Sequence, residues 1–142
     1  MEQVDAAARA AYNFGRSLYL AGSFERAADL LYEAVGRCDE LAQLQVDMHD
    51  STEDKAAADE LQREGFKADA LFLLGSAYLE LDDVEASGAA YHKALRGFER
   101  CVDLAGTETA RWEAEQGAAE TRSLLSDLGA LEHASEPAEE EA

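Results

Sequence analysis

The strongest constraint on this chain is a pattern of small and apolar residues that occurs twice, in the same internal order. The first copy reads Phe14-Gly15-x2-Leu18, then Gly22, Phe24, Ala27, Leu31 and Ala34. The second reads Leu74-Gly75-x2-Tyr78, then Asp82, Val84, Ser87, Tyr91 and Ala94. In each copy, apolar residues spaced by three and four flank a turn signal, the pattern of two amphipathic helices folded back on one another. Each hairpin buries its apolar face against a neighbour, so the two copies are expected to stack.

Periodicity and stop signals place five helices. The first runs from about Gln3 to Leu20 and stops at Ala21-Gly22, because glycine enters the left-handed conformation that closes a helix. Ser23 caps a second helix, which carries Phe24, Ala27, Leu31, Ala34, Cys38 and Leu41 on one face and continues to about Gln45. The break at residues 47–54 offers Asp50 or Ser51 as the cap of a third helix, which reaches about Leu81 and turns at Asp82-Asp83. A fourth spans about Val84 to Leu104 and ends at Ala105-Gly106. Thr107 then caps a fifth, running to about Leu131. Glu132 to Ala142 is acidic, holds the only proline and reads as a disordered tail.

The duplicated pattern resembles the tetratricopeptide repeat, which pairs a Leu-Gly-x2-Tyr helix with an Ala-x3-aromatic-x2-Ala helix. The likeness covers residues 5–104 well and the fifth helix poorly. It implies an all-α fold of antiparallel helix-hairpin repeats, a fragment of an α-solenoid, with repeat one at about 5–45 and repeat two at about 52–104. A capping helix at about 107–131 completes a domain of residues 1–131, followed by the tail at 132–142. Gly15 and Gly75 stand 60 residues apart, whereas the ordinary period is about 34, so the hairpin around residues 42–65 is extended. Gly117 follows Gly75 by 42 residues, a spacing similar to the kinesin-light-chain type of repeat. In that register Gln116 and Glu120 replace the Leu and Tyr, which makes the third copy degenerate and the fifth helix a cap. Its stripe of Ala110, Ala114, Gly117, Thr121, Leu124, Leu128 and Leu131 suits an intramolecular cap or, alternatively, a homodimer seam.

Composition narrows the classes of function. Scarce β-branched residues, no isoleucine and one proline agree with an all-helical chain. The formal charge of −19 opposes nonspecific binding to nucleic acid and to anionic membranes. A salt-adapted or GC-rich host accounts for such acidity as well as any function does, mimicry of nucleic-acid charge included. No apolar run approaches the ~18 residues of a membrane span, and Met-Glu-Gln-Val-Asp lacks the basic start of a secretory signal. The expected location is cytoplasmic.

Functional expectation rests on the faces of the first and third helices. Ala11, Phe14, Gly15 and Leu18 cluster on one side of the first helix and match buried positions of the repeat. Arg9, Tyr12, Asn13, Arg16 and Tyr19 fall on the other, where the resemblance implies a concave groove for extended peptides or helices. The corresponding face of the third helix presents Asp69, Phe72, Ser76, Leu79 and Glu80. Arginine offers bidentate donors to carboxylates, tyrosine supplies rigid contact area, and Asn13 can pair with a peptide backbone. The expectation is a protein–protein interaction module, an adaptor or assembly factor. Its groove would be basic and aromatic at one end and apolar to acidic at the other. It would take a segment with an acidic or C-terminal carboxylate near Arg9 and Arg16. The alternatives are that these arginines pair with surrounding acids, or that the chain is a structural subunit that homo-oligomerises or builds a larger complex. One branch of the family clamps chaperone C-termini with Lys and Asn. Here Tyr12 occupies the first clamp Lys position, while Arg16 and Leu73 stand where Asn is required, so that role is not expected.

Other chemistry finds little support. There is no phosphate-cradling glycine loop, nucleophile elbow or metal-ligand helix motif, so neither enzymatic activity nor a cofactor is expected. His49 among Asp47, Asp50 and Asp54 matches no calcium loop, and no metal is expected. Cys38 and Cys101, without a C-x2-C pair, read as reduced thiols at a helix seam.

Overall fold

A computed structural model describes residues 6–47 and 53–135, with side-chain surroundings for 6–40 and 58–129. The described chain is all-α, in five helices: α1 (Ala6–Leu20), α2 (Phe24–Asp47), α3 (Glu53–Glu80), α4 (Val84–Leu104) and α5 (Glu108–Ser135). Each helix packs on the next along the chain, and α1 also meets α3. The result is a helical-repeat fold: α1–α2 and α3–α4 are hairpins, α2 joins them, and α5 lies on α4.

The two hairpins turn in the same way. Gly22 takes φ of 87° and Asp82, sixty positions on, takes φ of 61°. After each, a backbone N–H reaches back five residues, Ser23 to the Leu18 carbonyl and Asp83 to the Tyr78 carbonyl, both at 2.9 Å. This is the left-handed helix closure that glycine adopts without penalty and aspartate tolerates. The side chain of Asp83 then caps α4 by accepting from the Ala86 N–H at 3.1 Å, and Thr107 does the same for α5 at Ala110.

The pattern's small residues set the helix separation. A Cβ at Gly15 would come within 3.0 Å of Leu31, and one at Gly75 within 2.8 Å of the Tyr91 ring. The Ser87 hydroxyl donates to the Gly75 carbonyl at 2.7 Å. Leu31, Ala68, Leu71, Leu74, Ala94 and Phe98 form one continuous core. The cap closes on it through Gly117, where an added Cβ would meet Phe98 at 2.7 Å. Of the fifth-helix stripe, Ala114, Thr121 and Leu128 are buried, and Ala110, Gly117 and Leu124 are partly buried.

Two expectations change. Phe14 is 54% exposed, while Ala8, Ala11 and Gly15 make the buried face of α1. Phe14 stands about 200° round the helix from Tyr12, which faces α3, and among the described residues no earlier element covers that flank. The fifth helix also runs four residues beyond Leu131 to Ser135. Glu132-His133-Ala134-Ser135 contains no helix breaker. The proposed caps Asp50 and Ser51, His49, the start of the first helix and residues 136–142 lie outside the described residues.

Candidate partner-binding cleft

The alternate helices α1, α3 and α5 border a cleft of about 440 Å³. Arg9 forms its α1 wall; Leu61, Gln62, Gly65, Phe66 and Asp69 form the α3 wall; Ala110, Glu113 and Ala114 close it from α5. Phe98 and Cys101 of α4 reach it between them.

Phe66 organises the α1 side. The Tyr12 ring packs on it with centroids 5.2 Å apart at 56°, and the Arg9 guanidinium lies 5.9 Å from its centre. Arg9 and Tyr12 are three residues apart, one turn on one helix face, so both reach the same ring. Stacking and cation–π attraction of this kind fix long side chains in place.

Acid and base share this end of the cleft. Asp69 is exposed as a residue, yet the flanking helices strip part of its water and Glu113 adds a like charge. Desolvation is the larger of the two effects that raise its carboxyl pKa. Burial raises the Tyr12 phenol as well, helped by Asp69 and opposed by Arg16. Burial, with Glu64 and Asp69 adding to it, pushes the Cys101 thiol up to about 11. That thiol therefore stays protonated at neutral pH and is a poor nucleophile. Cys38 and Cys101 are both free and buried.

The other expected groove residues divide in two. Asn13 and Arg16 are exposed beside this cluster. Tyr19 sets its ring edge-on to Phe24, centroids 5.4 Å apart, at the first hairpin turn. Phe72 packs on Tyr91 at 5.5 Å. Ser76 donates to the Phe72 carbonyl at 3.2 Å and lies 2.8 Å from the Tyr91 hydroxyl. Leu79 is half-buried further along α3. The fold thus gathers Arg9, Tyr12 and Asp69, and commits Phe72 and Ser76 to the α3–α4 contact.

Phe66, Gln62 and Glu113 escaped the sequence reading. Phe66 and Gln62 precede Asp69 by three and seven residues, so extending the Asp69 face up the same helix would have found them. Gln62 lies in the extended hairpin and Phe66 just beyond it, and Leu61, Gln62 and Gly65 of that stretch contribute to the α3 wall. Glu113 needed the position of α5, which the degenerate third copy did not give.

No protein-family model matches this chain, and no curated protein is significantly similar to it. Among the described residues no helix is long and apolar enough to cross a membrane, and no group of three or more His, Cys, Asp or Glu could hold a metal ion.

Proposed function

We propose that this chain is a tetratricopeptide-type interaction module, an adaptor or assembly factor that holds a segment of another protein in the α1–α3–α5 cleft. One observation carries the reading: three alternate helices converge on a cleft lined by Arg9 and Phe66, whose ring Tyr12 packs against, an aromatic–cation cluster at the cleft wall. Such a surface offers rigid contact area with little side-chain entropy to lose on binding. A carboxylate of the partner would face Arg9 and Arg16, and a basic group would sit between Asp69 and Glu113, relieving their repulsion. The role is non-catalytic, without cofactor or metal, and does not involve nucleic acid or membrane. Affinity capture from the host's lysate with wild type and an Arg9→Glu/Arg16→Glu variant tests it. A partner retained by wild type and lost by the variant is expected; identical captures would remove the cleft from the interaction.

A second reading rests on Phe14, 54% exposed, and Leu20, 71% exposed, both on α1. These side chains would be covered in a structural subunit that homo-oligomerises or enters a larger complex. Sedimentation equilibrium over a wide concentration range separates the readings. Self-association lost in Phe14→Ser supports the subunit, and a monomer throughout leaves no homo-oligomer.

A further inference from the structure

A second cleft, of about 350 Å³, lies along the seam of α2, α3 and α4 and shares no lining residue with the first. Four of the chain's 12 basic residues line it: Lys67, Lys93, Arg96 and Arg100. Its acids are Asp39 and Glu64. Lys67 pairs with Asp39 at 2.5 Å, and Arg100 with Glu60 and Glu64. Lys93 and Arg96 are exposed, and among the described residues neither forms an ion pair. On α4 no acid stands three or four residues from Lys93, and the one so placed for Arg96, Glu99 three residues on, pairs with Arg122. Instead Arg96 has Arg100 four residues on and Lys93 three before it, a like-charge stripe that opposes helix stability. Beneath the stripe the lining is apolar: Val35, Ala68, Leu71 and Gly97.

We infer that this seam is a second binding site, for an acidic peptide segment of a partner protein with an apolar residue between two carboxylates. The geometry favours a peptide over a single phosphate. Lys93 to Arg100 spans ~10 Å along the helix at about 1.5 Å per residue, a length that the carboxylates of a peptide match better than one phosphate does. In an extended segment, residues i, i+2 and i+4 share a face at ~3.3 Å per residue. A Glu-x-Leu-x-Glu segment therefore sets its leucine on the apolar floor and its carboxylates towards the two ends of the stripe. Nucleic acid carries a regular run of phosphates and no apolar side chain to match the Val35, Ala68 and Leu71 floor, and the chain's net −19 opposes any polyanion at long range. At physiological ionic strength the Debye length of ~8 Å screens that long-range field while leaving contacts inside the cleft intact.

Fluorescence anisotropy tests this with the full chain and a labelled peptide of core Glu-Ser-Leu-Ser-Glu. Saturable binding is expected, weakened about tenfold when the two Glu become Gln and by a similar factor in Lys93→Gln/Arg96→Gln. Arg9→Glu, in the other cleft, should leave the affinity unchanged, so this site can fail while the first stands. Far-UV circular dichroism confirms that the variants fold, as substitutions at two exposed positions permit. Three results would overturn the inference: no saturable binding, equal affinity for the Gln peptide or the variant, or displacement by millimolar inorganic phosphate, the mark of a simple anion site.

Discussion

A methyl group added at Gly75 would meet the Tyr91 ring at 2.8 Å, and Tyr91, 1% exposed, is held on all sides. Gly75→Ala should therefore lower stability by about 1–3 kcal/mol through overpacking. Gly88, within α4, has nothing within 4 Å of an added Cβ, so Gly88→Ala should raise stability by about 0.5–1 kcal/mol. Urea unfolding midpoints shifting the same way in both would contradict this packing. Asp69 gives a pH-dependent counterpart. Its pKa is raised in the fold, so between the ordinary carboxyl value and the raised one the folded state binds more protons, and stability falls as pH rises. Asp69→Asn should stabilise the protein at pH 7 by roughly 0.5 kcal/mol, the scale of a solvent-screened charge. That gain should vanish below the ordinary carboxyl range, and a gain independent of pH would exclude this cause. The candidate site was legible at Arg9, Tyr12 and Asp69 because each lies on one helix face. Phe14 was misplaced because periodicity gives an apolar stripe without saying which flank has a neighbour.

Among the elements, the hairpin turns were the most legible, since Gly22 and the Asp82-Asp83 pair are strong local stop signals. Their common left-handed residue makes opposite predictions from one conformation. Gly22→Ala should lower the thermal midpoint, a loss of about 1 kcal/mol, and Asp82→Gly should raise it, a gain of about 0.5 kcal/mol. Two shifts of the same sign would mean the turns are not equivalent. The cap was partly legible: its stripe of small residues announced close approach, and Gly117 against the Phe98 ring fulfils it. The stripe could not say which helix it would meet. Leu128, 3% exposed, should cost about 2–4 kcal/mol on truncation to alanine. A negligible loss, measured by chemical unfolding, would place α5 off the core.

For the molecule as a whole, charge is the dominant property. The exposed pairs Arg37–Glu33 and Arg122–Glu99 contribute little individually, whereas a formal −19 is repelled by itself throughout. Added sodium chloride should therefore raise the thermal midpoint; a falling midpoint would mean that ion pairs outweigh the repulsion. The all-α stack was legible because the duplicated hairpin repeats its turn, its close contact and its spacing. The clefts were not, because each is lined by three or more helices and depends on how successive hairpins are rotated. Two separate clefts, one aromatic and mixed in charge and one basic, would let the proposed interaction module hold two partner segments. The most direct test is to select peptides against the full chain from a random display library and titrate the tightest against wild type, Tyr12→Ala and Arg9→Glu. A ligand whose affinity falls about tenfold or more in both variants is expected. A selected ligand that binds all three proteins equally would contradict binding in the α1–α3–α5 cleft.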